Sequence, residues 1–257
     1  MKGEEISYLS ILNLLFLIVP IMIINYKLHM GINKKMLYAI GRMGIQLSLV
    51  GIFLQYIFNL NNPYVNACYL VFMIIVASFS AAKSANLSIK KFIIPLFFAF
   101  IIPNVVVLLF FNTFVTRLDE LFSAQYMIPI GGMLLGNSLS GNIICINSFY
   151  KGIRENEKAY LYSLSLSGNK IEALIPYFKS SILASINPTI ASIETIGLVS
   201  LPGMMTGQIL GGAVPLTAIK YQIAIMIAIL IARYFSTILS ILFTAHKAFD
   251  DNDILHT

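Results

Sequence analysis

The chain has 257 residues, of which 58% are hydrophobic and only 11% are charged. A soluble domain of this size carries about 25% charged residues, so this composition and a mean hydropathy of +0.84 indicate an integral membrane protein and exclude a soluble one. The formal net charge of +6 does not indicate nucleic-acid binding, because the basic residues lie between apolar segments and not in one patch.

Seven apolar segments approach the length of about 20 residues that a membrane crossing requires. They cover residues 8–25, 36–58, 65–82, 92–111, 126–146, 182–210 and 219–244. The expected fold is therefore all-α: a polytopic transmembrane helical protein with about seven spans, forming a single transmembrane domain over residues 1–257.

Basic residues in the loops orient these segments. The loops after the first, third and fifth segments are rich in lysine and arginine, whereas residues 59–64 and 211–218 contain neither. In the loop at 112–125, Arg117 is offset by acidic residues. Under the positive-inside rule, the sequence predicts a multi-pass protein of the inner (plasma) membrane, with its N-terminus outside and its C-terminus in the cytoplasm.

The fifth loop, residues 147–181, has the pattern of a helix–turn–helix. Apolar residues recur every three or four positions over 171–178, Gly168 marks a turn before them, and Asn169 with Glu172 resembles a capping box. An amphipathic helix resting on lipid headgroups explains the apolar face but not the glycine turn, so a docking element for a soluble partner is favoured. The residues expected to couple to that partner are Leu166, Ser167, Gly168, Asn169, Lys170, Glu172 and Ala173.

The sixth segment contains the most unusual stretch, residues 195–212 (TIGLVSLPGMMTGQILGG). Pro188 and Pro202 bracket its apolar residues. Such breaks leave backbone N–H and C=O groups without helical hydrogen bonds, and a bilayer tolerates these groups only where protein or a water-filled cavity supplies partners. Two interpretations stay open: a broken helix beside a transport route, and a kinked structural helix whose glycines permit close packing.

Polar and soft residues of the fifth and sixth segments are the candidates for a substrate pathway. Glu194 is expensive to bury in its ionised form, so we expect it to be protonated, paired with Arg233 or bound to a cation. Met204 and Met205 offer thioether ligands for soft metals, although methionine also serves as packing material. The asparagines either pair between helices or face a cavity. The candidate pathway residues are Asn137, Asn142, Glu194, Met204, Met205 and Gln208, with Glu194, Met204 and Met205 as a candidate metal site.

Enzyme signatures are absent from the sequence, which contains no GxxxxGK[ST], HExxH, CxxC or GxSxG motif. We therefore expect no catalytic residue and no cofactor bound by this chain. Uphill transport would require an ion gradient or a separate ATPase that binds ATP. A secondary transporter is disfavoured, because no span carries the paired acids or the basic–acid relay usual for ion coupling.

Three stretches carry a family resemblance: 127–137 (MIPIGGMLLGN), 187–212 (NPTIASIETIGLVSLPGMMTGQILGG) and the pattern from Pro215 to Tyr221-Gln222. They resemble the iron-export ABC permeases of the FetB type, whose plant relatives are aluminium-tolerance permeases. The match covers the C-terminal half, and the first four spans agree mainly in hydropathy.

This resemblance implies a permease subunit that works as a homodimer with two separately encoded ATPase subunits. It also implies the export of metal ions, with iron as the first candidate. Family members carry an LGA turn in the docking loop, and here that position reads Leu166-Ser167-Gly168-Asn169-Lys170, which shifts the glycine by one residue. The alternatives are an ABC permease for a small organic solute, such as a nucleotide sugar, and a membrane scaffold or sensor that transports nothing.

Overall fold

The computed structural model describes residues 7–118, 120–250 and 253–255, without the side chains of residues 8 and 9. The predicted outer location of the N-terminus concerns a segment, residues 1–6, that lies outside this description. The helices of the described chain are α1 Tyr8–Leu15, α2 Ile18–Lys27, α3 Asn33–Leu60, α4 Pro63–Ser84, α5 Ile89–Phe110, α6 Ala124–Glu155, α7 Glu157–Ser167, α8 Lys170–Thr195, α9 Gly203–Leu210 and α10 Pro215–Ala248. A π-helical turn, Phe111–Val115, extends α5. The predicted all-α fold class is confirmed.

Six helical segments of the described chain are long and apolar enough to cross a membrane, which supports the prediction of a polytopic protein. They coincide with six of the seven predicted segments. Their bounds are Ser10–Lys27, Asn33–Leu60, Pro63–Ser84, Ile89–Val115, Ala124–Glu155 and Pro215–Ala248.

The predicted sixth segment, 182–210, is wrong in its bounds. Helix α8 begins at Lys170, inside the predicted fifth loop, and continues through Pro176 and Pro188 to Thr195. The chain then turns at Gly197, which has a φ of +83° and donates its N–H to the carbonyl oxygen of Ser200 at 3.0 Å. Glycine adopts this left-handed conformation without steric cost, so it ends the helix there. The break therefore separates α8 from α9 and does not interrupt a single span.

The predicted helix–turn–helix is confirmed, but it is not part of a long loop. Helix α6 extends to Glu155, and α7 and α8 meet at Gly168, whose φ is +62° and whose N–H bonds to the carbonyl oxygen of Leu164. The side chain of Asn169 accepts a hydrogen bond of 2.9 Å from the N–H of Ile171, which caps α8. We call α7, the Gly168 turn and the first two turns of α8 the docking hairpin.

The buried core is formed by α4, α5, α6, α8 and α10, with α10 packed against both α5 and α6. Glycines bring α6 close to α4, because a Cβ atom on Gly131 would lie only 2.9 Å from Cδ1 of Leu70. By contrast, α3 buries only Ile57 among its 28 residues, so this helix lies at the edge of the bundle. The core helices therefore position the candidate site, and α3 leaves nearly all of its surface open.

Candidate functional site

A cavity of about 270 Å³ lies between the start of α6, helix α9 and the start of α10. The turn that ends α8 positions α9 against these two helices. The cavity is lined by Gln125, Tyr126, Pro129, Ile130, Met204, Gln208, Ala213, Thr217 and Tyr221. All of these side chains are uncharged, so the cavity offers amides, hydroxyl groups and one thioether to a solute, in a mainly apolar wall.

Two of the predicted pathway residues, Met204 and Gln208, line this cavity. Met205 is buried beside them in α9. Sequence reasoning missed the tyrosines Tyr126 and Tyr221, which line the cavity from α6 and α10. A tyrosine near the end of an apolar helix is typical of a membrane interface, and this signal alone does not indicate that the two residues share a cavity.

Glu194 lies apart from this cavity and is exposed in the last turn of α8. Pairing with Arg233, one of the three alternatives expected for Glu194, is wrong. Arg233 contacts α8 at Ser185, nine residues before Glu194, which is about 13 Å along a helix axis. Within the described residues, no three His, Cys, Asp or Glu side chains come together as a metal-binding group. The metal role of Glu194, Met204 and Met205 therefore stays a prediction.

The two candidate asparagines of α6 form hydrogen bonds within the protein. Asn137 is half-buried, and its Nδ2 atom donates to the carbonyl oxygen of Met133 at 2.8 Å. Asn142 is fully buried, and its Nδ2 atom donates to the carbonyl oxygen of Ser138 and to Oγ of Ser236 on α10, both at 2.8 Å. Asn142 therefore links two helices, while its Oδ1 atom has no hydrogen-bond partner among the described residues.

A buried polar cluster, consisting of Gly141, Ser185 and Arg233, joins α6, α8 and α10 one helical position away from Asn142. Arg233 is only 5% exposed, and its Nη2 atom donates to the carbonyl oxygen of Ser185. The hydroxyl of Ser185 donates in turn to the carbonyl oxygen of Gly141 at 2.9 Å. An intramembrane arginine is a candidate functional residue by default, because its charge is costly to bury in a bilayer. Sequence reasoning named Arg233 only as a partner for Glu194.

The tip of the docking hairpin exposes apolar side chains. Leu166 and Ile171, on either side of the Gly168 turn, are each 71% exposed. Ala173 is buried against the core, so it holds the hairpin and does not face a partner. Leu166 is one of the predicted coupling residues, and Ile171 was not among them. Together they expose apolar surface at the turn, which suits contact with another protein.

The chain after α10 folds back onto the docking hairpin. The Nζ atom of Lys170 lies 2.7 Å from Oδ1 of Asp253 and 4.3 Å from the ring centre of Phe249. The hydroxyl of Tyr160 donates to the carbonyl oxygen of Asp253 at 2.8 Å. Burial, with the nearby carboxylates of Asp253 and Asp250, raises the pKa of Tyr160 to about 12. This hydroxyl therefore stays protonated, and able to donate, at physiological pH.

Comparisons with known proteins place the whole bundle in one group of membrane proteins. A family model described as "Uncharacterised protein family (UPF0014)" matches residues 8–249. The chain is 31% identical to the "Probable iron export permease protein FetB" of Escherichia coli (strain K12) over 250 residues, which cover 97% of this chain and 95% of that protein. No solved structure matches the chain.

Two plant proteins are similar over most of the chain. The "Protein ALUMINUM SENSITIVE 3" of Arabidopsis thaliana is 33% identical over 207 residues, which cover 79% of this chain and 73% of that protein. The "UPF0014 membrane protein STAR2" of Oryza sativa subsp. japonica is 30% identical over 220 residues, which cover 84% of this chain and 75% of that protein. These matches extend well beyond the C-terminal stretches that carry the resemblance in the sequence.

Proposed function

Because the chain belongs to the UPF0014 family, we propose that it is the permease subunit of an ABC transporter that exports metal ions, iron first, across the inner membrane. A separate ATPase subunit binds and hydrolyses ATP, and this chain supplies the route across the bilayer. The substrate and the direction of transport come from the similarity to the protein named as a probable iron export permease. They are proposals for this chain.

One structural observation carries the mechanism of this proposal: α8 is a single helix from the docking hairpin to the turn before α9. Motion of an ATPase bound at the hairpin would therefore reach the cavity wall formed by Met204 and Gln208 through one helix and one short turn. The contact between Lys170 and Asp253 connects the same hairpin to the chain that follows α10, and the opposite end of α10 lines the cavity. Both connections favour a hairpin that transmits motion over one that only rests on the membrane.

We further propose that two copies of the chain form the permease. Helix α3 is apolar enough to span the membrane, yet it buries almost none of its side chains in one copy. Gly41, Gly44, Ser48 and Gly51 fall on one face of this helix at alternating spacings of three and four residues, and no atom lies within 4 Å of a Cβ built on any of the three glycines. A second α3 can approach such a face closely.

The cavity also favours a second candidate substrate, a small organic solute such as a nucleotide sugar. Its lining of amides and hydroxyl groups can hydrogen-bond to sugar hydroxyls, and it carries no charged side chain. Iron-dependent stimulation of the ATPase in reconstituted vesicles would support metal export. Stimulation by a nucleotide sugar and not by iron would support the alternative. ATPase activity that responds to neither would favour a membrane scaffold or sensor that transports nothing.

Docking of the ATPase can be tested by replacing an exposed apolar residue at the tip of the hairpin. We expect Leu166→Asp to abolish co-purification of the partner ATPase, because a carboxylate at the centre of an apolar contact must be buried without a partner. Leu28→Asp is the matched control, since Leu28 is 65% exposed in another loop predicted to be cytoplasmic. Equal recovery of the ATPase with both variants would show that the hairpin is not its docking site.

A further inference from the structure

Arg233 carries a permanent positive charge in the middle of α10, where the bilayer makes an unpaired charge costly. No ion pair in the described part of the chain includes Arg233, and those of Lys151 with Glu155 and of Lys170 with Asp253 lie elsewhere. Its Nη2 atom bonds to a neutral carbonyl oxygen, and its buried Nε atom has no hydrogen-bond partner among the described residues. None of the described residues therefore supplies a counter-charge to this buried guanidinium group.

The surroundings of Arg233 are built to admit its side chain. A Cβ atom on Gly141 would lie 2.5 Å from Nε and 2.7 Å from Cγ of Arg233, so only glycine leaves room at this position of α6. On α8, the guanidinium group donates to the carbonyl oxygen of Ser185. Gly141 thus leaves space for the arginine side chain, and Ser185 supplies one acceptor for it.

A second orphaned polar group lies one turn along α8 from Ser185. The hydroxyl of Thr189 is buried and has no hydrogen-bond partner among the described residues, although a helical threonine can bond to the carbonyl four residues earlier. That carbonyl belongs to Ser185 and receives Arg233 instead. The Nε–H group of Arg233 and the hydroxyl of Thr189 are therefore two free donors on facing helices, and buried donors without partners are rare in folded proteins.

We propose that Arg233 and Thr189 form a binding site for an oxyanion between α8 and α10, in the middle of the bundle. An oxyanion would supply both the missing counter-charge and the missing acceptor, and guanidinium groups match carboxylate and phosphate in geometry. This step rests on the proposed function: the transported species carries an oxyanion group, which binds Arg233 as the species crosses the membrane. The cargo is then a metal ion held by an anionic chelator, and not a bare cation, which Arg233 would repel.

Anion binding by the purified full-length chain, without any ATPase, tests the site. Thermal unfolding is followed as citrate or inorganic phosphate replaces chloride at constant ionic strength. For the wild-type chain we expect a saturable rise in the unfolding midpoint. Arg233→Gln should need roughly tenfold more anion or show no rise, because a charge-assisted hydrogen bond is lost. Lys220→Gln is the matched control, because it removes the same charge from an exposed position of α10 and should respond as the wild type does.

The outcomes separate the possible sources of the oxyanion. A response to citrate but not to phosphate assigns the site to carboxylates, and the reverse assigns it to phosphates. A wild-type chain that responds to neither anion, or an Arg233→Gln chain that responds as the wild type does, overturns the proposal. If Arg233→Gln does not fold, Thr189→Val decides, because it removes one donor, keeps the charge and should weaken the response.

The statement about cargo needs a separate measurement in vesicles that contain the partner ATPase. We expect iron supplied as its citrate complex to stimulate ATP hydrolysis more than the free ion does, and Arg233→Gln to remove that difference. Equal stimulation by both forms in the wild type contradicts an anionic cargo even if the oxyanion site itself is confirmed. Failure of the ATPase to associate with the chain overturns the proposed function and leaves the binding result unaffected.

Discussion

Gly141 on α6 packs directly against the charged side chain of Arg233 on α10. Its missing Cβ leaves the space that Nε, Cγ and Cδ of Arg233 occupy. Its carbonyl oxygen also accepts the hydrogen bond from Ser185 that attaches α8. One glycine thus contributes to the contacts of three helices, and a small change there should alter all of them.

We predict that Gly141→Ala destabilises the chain by about 1–3 kcal/mol, the usual range for overpacking a well-filled core. The added methyl group must displace a buried arginine that cannot move to solvent. Gly136→Ala on the same helix is the control, because no atom lies within 4 Å of a Cβ at that position. Thermal unfolding in detergent measures both, and equal midpoints would show that the packing around Arg233 is looser than the structure indicates.

Candidate site residues were predictable from sequence where one segment held the signal. Met204 and Gln208 follow a proline–glycine break, and both line the cavity. Tyr126 and Tyr221 were missed because they come together only when α6 and α10 pack side by side. The Glu194–Arg233 pair was wrong because a charge match on neighbouring spans does not fix the height of either residue in the membrane.

At the scale of the element, α8 is the structure on which the proposed mechanism depends. It contains Pro176 and Pro188, which predict interruptions when the segment is considered alone. In the bundle, α6 and α10 pack against it, and the helix continues through both prolines. The turn residues were predictable, since Gly168 and Asn169 act locally, but the length of α8 follows from contacts with other helices.

The contact between the docking hairpin and the chain end gives a prediction at this scale. We expect Asp253→Asn to increase tryptic cleavage after Lys247 by up to roughly fivefold, because a partly exposed ion pair contributes about 0.2–1 kcal/mol. Glu155→Gln is the matched control. It removes the exposed ion pair at the end of α6, in which Nζ of Lys151 lies 3.6 Å from Oε1 of Glu155. Mass spectrometry of timed digests measures both, and identical rates would mean that Lys170 does not hold the chain end.

At the scale of the whole molecule, the open surface of α3 is the main feature that one copy leaves unexplained. Its glycine face has no neighbour within the described chain, and most of its other side chains are exposed, although Ile57 is buried. Small residues at this spacing allow two helices to pack closely in a bilayer. A dimer through α3 would place the core helices of each copy on the outer sides of a shared interface.

We predict that Gly44→Leu lowers the dimer fraction at least several-fold, because a large side chain prevents the close approach of two helices. Val50→Leu is the control, since residue 50 faces the opposite side of α3. Light scattering of the purified chain with its detergent contribution subtracted measures the mass of each variant. A dimer that survives Gly44→Leu, or a wild type that is monomeric, would exclude this interface.

The most direct test of the central claim is iron uptake into inverted membrane vesicles that contain the chain and its partner ATPase. We expect uptake that requires ATP and is lost in Leu166→Asp, which detaches the ATPase. In Met204→Ala with Gln208→Ala, which alters the cavity wall, uptake should fall while the ATPase stays bound. Iron uptake that continues without ATP, or that is unchanged in both variants, would contradict a permease driven through the docking hairpin.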